Sequence, residues 1–288
     1  MSVRDHKLIP SDFSALPSQA APAVVSLVET FSPDLDVTGH FVGADGDVPA
    51  ALGVDRAALA KLGFEAKAGQ TQTVLAASGG LVIAVGLGAP DESAGADAAS
   101  AALRDAAAAF ARAAAAHANI GLDLTGIPAL DAAGVDAVTE GVLLARYRYN
   151  ALKAKPKGTA LAALELLGTA GVDGADDAVR RAQIGARAGN VTRDLCNTPP
   201  GHLTATNIAD IAVELGSVHG FAVEVFDKQA LIELGCGGLL GVNAGSADEP
   251  RMVKLRYVPT SAEGAPAEAG HLALVGKGIM YDSGGISL

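Results

Sequence analysis

Cysteine is scarce in this chain, which has only Cys196 and Cys236 among its 288 residues. The two do not form a Cys-x-x-Cys pair, so the sequence lacks both a disulfide framework and a cysteine-based metal motif. We expect both to be small buried apolar residues. The chain also lacks an apolar run long enough for a membrane helix, and its charged first residues do not resemble a secretory signal. These absences predict a cytoplasmic protein that is not embedded in a membrane.

Basic residues are outnumbered, with 21 Lys and Arg against 32 Asp and Glu, which gives a formal net charge of -11. An acidic surface has no general attraction for phosphate backbones or anionic lipid. The composition therefore disfavours nucleic acid as a partner. It also predicts a folded chain, because half of the residues are apolar, although many of these are alanine.

Short β-branched and aliphatic runs alternate with helical patterns along the first half of the chain. The clearest buried strand is Leu81 to Val85, which Gly86-Leu87-Gly88 ends. Helical periodicity covers Asp55 to Leu62, the alanine-rich stretch Asp97 to His117, and Asp131 to Asn150. Strands that alternate with helices predict an α/β layered fold.

A small-residue stretch at Gly168 to Gly174 is the best candidate for a domain boundary. We therefore predict one domain over residues 1–170 and a second over residues 171–288. The second begins with a long helix from Asp176 to Leu195. Three strands are predicted to follow at Phe221 to Phe226, Met252 to Val258 and His271 to Val275.

The richest motif follows the last of these strands, where Gly276-Lys277-Gly278 leads to Asp282 on a glycine-rich segment. A Walker phosphate loop needs Ser or Thr directly after its lysine, whereas Gly278 stands there. A carboxylate in the loop would also repel phosphate. The motif is therefore a poor phosphate site.

Two alternatives stay open from the residues alone: an exposed Lys277–Asp282 ion pair without a function, or part of a metal site. A carboxylate is a good ligand for zinc or manganese, whereas a lysine binds metal only as the neutral amine. Deprotonating a lysine at pH 7 costs roughly 4 to 5 kcal/mol, which an adjacent dication can supply. Two ligands are too few for a closed site, so others must come from elsewhere.

Other hydrolase classes have no matching motif in the sequence. The histidines His202, His219 and His271 are not arranged as His-Glu-x-x-His, which disfavours a histidine-based zinc site. Neither Cys196 nor any serine lies in a Gly-x-Ser-x-Gly turn. Serine and cysteine hydrolase mechanisms are therefore excluded.

The segment from Val275 to Leu288 closely resembles the metal-binding signature of the leucyl aminopeptidases, the M17 family of cytosolic metallopeptidases. Earlier segments resemble the same family in the same order. They are Ala84 to Gly88 and Glu140 to Tyr147 in its macro-like amino-terminal domain, then Arg193 to Pro200, Gly237 to Ser246 and Pro250 to Tyr257 in its catalytic domain.

The resemblance implies an α/β chain with a macro-like amino-terminal domain followed by an incomplete α/β/α metallopeptidase catalytic domain. It implies two divalent metal ions, Mn²⁺ or Zn²⁺, with Lys277 on one metal and Asp282 bridging both. Implied partners are peptides with a free amino terminus, and the implied assembly is a homohexamer. The competing interpretation is a non-catalytic fragment, or a module that binds a nucleotide, ADP-ribose or DNA.

Part of the family pattern is not found in the sequence, so no residue is assigned as catalytic. The family's catalytic lysine would follow Leu288 directly, and its acidic motif with an arginine would come later. We therefore expect the chain itself to be inactive, as two ligands cannot hold a two-metal centre. Robust turnover of leucyl amides by the purified chain with manganese or zinc would contradict this expectation.

Overall fold

The computed structural model describes residues 13–76, 79–89, 95–156, 158–258 and 270–280. These residues form two compact units. The larger unit comprises Leu16–Asp194, and the smaller unit comprises residues 13–15 together with the described residues from Leu195 onward. Each unit is an α/β structure, which confirms the fold class expected from the sequence.

The described residues of the larger unit form six strands and four α-helices, of which the last helix extends past Asp194. The strands are β1 (Val24–Val28), β2 (Val37–Gly43), β3 (Thr71–Leu75), β4 (Leu81–Gly88), β5 (Asn119–Asp123) and β6 (Ala163–Leu167). The helices are α1 (Arg56–Lys61), α2 (Ala96–Ala113), α3 (Ala132–Ala145) and α4 (Ala175–Asn197).

All six strands form one sheet in the order β1-β6-β5-β2-β4-β3. Every neighbouring pair is parallel except β3 and β4, which are antiparallel. Parallel strands are covered by helices on both faces, so their side chains are apolar on both sides. β4 fits this rule, because its run from Val82 to Val85 is buried without interruption.

Two apolar clusters fill the space on the two faces of the sheet. On β4, Ile83 and Val85 belong to the cluster that α2, α3 and α4 cover, whereas Val82 and Ala84 belong to the second cluster. Leu59 of α1 lies in this second cluster. The alternation follows from the two-residue period of a strand.

Helices α2 and α3 pack so closely that one position has no room for a side chain. A Cβ at Gly141 of α3 would collide with the carbonyl oxygen of Arg104 in α2. The buried alanines Ala107 and Ala111 keep α2 slender. The alanine-rich stretch is therefore a packed helix, as its composition predicts.

A polar pair, formed by the buried His40 and the partly buried Asp123, joins β2 to β5 in the middle of the sheet. His40 and Asp123 are register partners, and Nδ1 of His40 lies 3.0 Å from Oδ2 of Asp123. The other oxygen of Asp123 accepts hydrogen bonds from the amide and the hydroxyl of Thr125. Burial raises the pKa of the Asp123 carboxyl, but the hydrogen bonds from His40 and Thr125 outweigh burial and hold this pKa below its usual value.

A buried arginine, Arg146, forms hydrogen bonds with carbonyl groups at the carboxyl end of α2. The guanidinium of Arg146, just after α3, donates hydrogen bonds to the carbonyl oxygens of Ala114 at 3.1 Å, His117 at 2.8 Å and Thr159 at 2.9 Å. Ala114 is the C-cap residue of α2, so the cation lies at the negative end of the helix dipole. Burial, followed by the charge of Arg148, lowers the pKa of Arg146.

The smaller unit contains α5 (Ala205–His219), β7 (Ala222–Phe226), α6 (Lys228–Glu233), α7 (Gly237–Asn243) and β8 (Met252–Arg256). β7 and β8 form a two-stranded antiparallel sheet. Helix α5 begins at a capping box, in which the side chains of Thr204 and Asn207 each bond the other's backbone amide. The side chain of Asp227 caps α6 by accepting a hydrogen bond from the backbone amide of Ala230.

Two expectations from the sequence are wrong. His271 to Val275 is not a strand, and Leu272, Leu274 and Val275 are 85%, 88% and 97% exposed. An apolar run becomes a strand only where a neighbouring strand takes its backbone hydrogen bonds, and no described residue pairs with this run. The cysteines are not buried either, since Cys196 is exposed and Cys236 is partly exposed.

None of the helices in the described ranges combines the length and the apolar character that crossing a bilayer requires.

The close approach of α2 and α3 predicts opposite effects for the same substitution at two helical glycines. We expect Gly141→Ala to lower the free energy of unfolding by about 1 to 3 kcal/mol, because its methyl group forces the two helices apart. We expect Gly185→Ala in α4 to raise it by about 0.5 to 1 kcal/mol, because a Cβ there meets its nearest atom at 3.8 Å. Urea unfolding followed by circular dichroism measures both. Equal effects would contradict the close packing.

The lowered pKa of Asp123 predicts a stabilisation that disappears in acid. A carboxyl whose folded pKa is below its unfolded value stabilises the fold above the unfolded pKa, and the stabilisation is lost as the pH falls through the folded pKa. We expect Asp123→Asn to lower the free energy of unfolding by about 1 to 2 kcal/mol at neutral pH. The difference from wild type should shrink below about pH 4. Asp47→Asn, at an exposed position, is the matched control, and a pH-independent loss would refute the prediction.

Candidate metal centre

Lys277 lies on an exposed segment of the smaller unit that has no regular secondary structure. Its carbonyl oxygen accepts a hydrogen bond from the amide of Ile279 at 3.1 Å, which forms a local turn. At the flanking Gly276 and Gly278, a Cβ would meet no atom within 4 Å, and neither residue has the positive φ that favours glycine. The described part of the motif is therefore open, with no cradle built around the lysine.

Asp282 lies outside the described residues, as do Tyr281 and all residues after it. The distance between the Lys277 amine and the Asp282 carboxylate is therefore not part of the described geometry. Their pairing as metal ligands stays a prediction that the sequence supports.

A closed metal site needs about four ligands in a compact arrangement. No group of three His, Cys, Asp or Glu side chains in the described ranges is placed to hold a metal ion. The described residues on their own thus do not fit a metal ion.

The elements before the motif expose several large apolar side chains. On and after β8, Leu255, Tyr257 and Val258 are between half and three-quarters exposed. On α7, Val242 is 79% exposed. Together with Leu272 to Val275, these residues give the smaller unit considerable uncovered apolar surface.

The most conspicuous polar arrangement in the larger unit is a poor candidate for catalysis. Oγ1 of Thr38 lies 3.3 Å from Nε2 of His40, whose Nδ1 contacts Asp123, so a hydroxyl, an imidazole and a carboxylate stand in line. His40 is only 4% exposed, however, and lies within the sheet. A substrate cannot reach its ring, so the arrangement is a hydrogen-bonded joint between strands.

Sequence reasoning also missed this joint and a group of arginines around Arg146. Nothing local in the sequence indicates the joint, because His40 and Asp123 are far apart in the chain and meet only through parallel strand pairing. Arg146 falls within the predicted helix Asp131 to Asn150, and the helical pattern does not indicate that its side chain is buried. The available signal was that two arginines, Arg146 and Arg148, follow the end of a helix, where basic side chains often bond free carbonyl groups.

Comparison with known proteins gives matches over both parts of the chain. Residues 51–156 match the N-terminal domain of the cytosol aminopeptidase family, and residues 190–288 match the catalytic domain of the same family. The two matched stretches together cover more than half of the chain.

Individual relatives agree with these matches. A probable cytosol aminopeptidase of Streptomyces coelicolor is 41% identical over 291 residues, which cover 88% of this chain and 53% of that protein. A probable cytosol aminopeptidase of Streptomyces griseus is 40% identical and covers 90% of this chain and 54% of that protein. The chain thus spans about half the length of the curated relatives it matches.

Solved structures show the same likeness. The bottromycin maturation enzyme BotP in complex with Mn is 34% identical, with a TM-score of 0.64 over 78% of this chain and 46% of that one. A tomato leucine aminopeptidase mutant is 21% identical, with a TM-score of 0.71 over 85% of this chain and 52% of that one, and it shows the fold alone. With both domains matched in order and relatives at 40% identity or above, the chain belongs to the cytosol aminopeptidase family.

Proposed function

We propose that the protein containing this chain is a metal-dependent aminopeptidase, which releases amino-terminal residues from peptides. The observation that carries the proposal is the match of residues 190–288 to the family's catalytic domain, which includes Lys277 and Asp282. The relatives named as probable cytosol aminopeptidases support it, and so does the manganese in the related BotP structure.

The metal ligands in this proposal are the amine of Lys277 and the carboxylate of Asp282. We propose two divalent ions, manganese or zinc, with Asp282 between them. A divalent metal lowers the pKa of a bound water and polarises a carbonyl group, which suits peptide hydrolysis at neutral pH. The exposed position of Lys277 supports the assignment, because its amine is accessible to a metal.

The partners in the proposal are peptides with a free amino terminus. The family resemblance also supports a homohexamer that works in the cytoplasm. The net charge of -11 suits a dissolved protein and disfavours nucleic acid as a general partner.

The ligand assignment predicts a loss of both metal binding and activity when the lysine is removed. We expect Lys277→Met to lower kcat/KM for leucine p-nitroanilide by more than about a hundredfold in the protein that contains this chain. Loss of a residue that only orients a metal ligand typically costs about 10- to 100-fold, and loss of the ligand itself should cost more. Asp282→Asn should act similarly. Chelation should abolish the activity, and manganese or zinc should restore it.

Lys254→Met is the matched control for loss of a lysine. Lys254 is exposed on β8, where its amine pairs with Glu224 at 3.1 Å. An exposed pair of this kind contributes less than about 1 kcal/mol to stability. We expect this variant to keep its activity within twofold. A metal-independent activity, or equal losses at Lys254 and Lys277, would overturn the proposed function.

A further inference from the structure

The larger unit contains a pocket of about 710 Å³, lined in part by Leu143, Arg146 and Tyr147 of the segment Glu140 to Tyr147 but by neither of the predicted metal ligands. It lies beside the amino ends of β1 and β6, since residues before both strands line it, among them Pro22 and Leu161. Ligands of open α/β sheets usually bind at the carboxyl ends of the strands. The pocket is therefore at the opposite end from the usual crevice of such a fold. Its volume falls within the range of small-molecule sites.

One wall of the pocket is a polar stripe along α4. Its lining side chains recur at helical spacing: Arg180, Gln183, Arg187 and Asn190. A neighbouring stripe of α4 is buried through Ala178 and Ala182, and Ala186 lies between this stripe and the pocket wall. Because the alanine stripe fixes the rotation of the helix, the two arginines are held on the pocket side.

The facing wall comes from the end of α3, where Arg146 and Arg148 line the pocket. The Arg146 side chain donates hydrogen bonds to three backbone carbonyl groups. Its Nε atom is buried and has no hydrogen-bond partner among the described residues. Arg146 thus supplies a fixed positive charge in the wall. Burial and, to a smaller extent, the charge of Arg148 lower the pKa of Arg146.

The pocket concentrates positive charge in an otherwise acidic chain. Four arginines line it, and none of its lining residues is Asp or Glu. Arg180 contacts Asp177 at 2.9 Å, but this pair is exposed on the helix surface. Within the described part of the chain, no hydrogen bond or ion pair engages the guanidinium of Arg187. Arginines gathered without carboxylates favour an anionic ligand.

Apolar side chains line the same pocket between the arginines. Val24 of β1 and Ile184 of α4 are each 63% exposed although both line it. Leu143 and Leu161 add further apolar surface. A bare inorganic ion would not cover these side chains, whereas an organic group attached to the anion would.

We propose that this pocket binds a small organic phosphate, with the phosphate at Arg187 and the organic part against Val24 and Ile184. The planar guanidinium of Arg187 matches phosphate oxygens in a two-bond geometry. Arg146 and Arg148 add favourable charge from the facing wall. The lining residues all belong to the larger unit, so the proposal does not depend on the aminopeptidase function.

Phenyl phosphate is the probe that tests the proposal, with titration calorimetry on the full chain as the measurement. We expect saturable binding, weaker binding of inorganic phosphate, and none of phenol. Arg187→Gln should weaken phenyl phosphate binding by about tenfold or more, the loss expected for one charge-assisted hydrogen-bond pair. Raising the salt concentration should weaken it too. Inorganic phosphate binding equal to phenyl phosphate would overturn the organic part of the proposal.

Arg181→Gln is the matched control, because it removes the same charge from the next position of the same helix. Arg181 is outside the pocket and contacts Asp136 at 3.3 Å. We expect this variant to bind phenyl phosphate within twofold of wild type, and circular dichroism confirms that both variants fold. Equal weakening in the two variants would show a general charge effect and overturn the site. Absence of saturable binding would overturn it as well.

Discussion

The guanidinium of Arg146 is the constraint on which much of the larger unit depends. It joins the end of α2, the turn that follows it and the segment that leads into β6, through hydrogen bonds to three carbonyl oxygens. A buried charge is stabilised by hydrogen bonds to its donors, and the two terminal nitrogens of the planar guanidinium reach three separated carbonyls, although Nε has no partner among the described residues. The same side chain brings a positive charge to the wall of the pocket.

The net charge of the whole chain is negative, whereas the charge of the residues that line the pocket is positive. The whole chain carries -11, which is the quantity that governs its general affinity for polyanions. The pocket between α3 and α4 collects four arginines with no carboxylate among its lining residues. Screening limits exposed charges to about 8 Å at physiological salt, so a ligand inside the pocket responds to the arginines more than to the total. Net charge therefore predicts nothing about such a site.

The fold was largely predictable because most of its elements carry their own pattern. β4 is a continuous apolar run, and the alanine-rich sequence of α2 favours a helix in any context. β1 was not predicted, because its residues are partly exposed and show no clear strand pattern. The segment is a strand because β6 pairs with it along its full length. The run from His271 to Val275 has a strand pattern but no partner among the described residues. Local pattern thus predicts which residues can form a strand, whereas pairing decides which do.

The same distinction separates the two candidate sites. Lys277 and Asp282 were found because they are close in the sequence and resemble a family signature. The predicted boundary at residue 170 stays a prediction, as does the metal role of this pair. The pocket could not be found in this way, because Arg146 follows α3 and Arg187 lies on α4, so the two line one pocket only in the folded chain. Gly189 of α4 lies close to Leu144 of α3, so a side chain at this position would meet the leucine at 3.3 Å. The arginine pocket is therefore a consequence of the core, and substitutions that move α4 should alter it without touching an arginine.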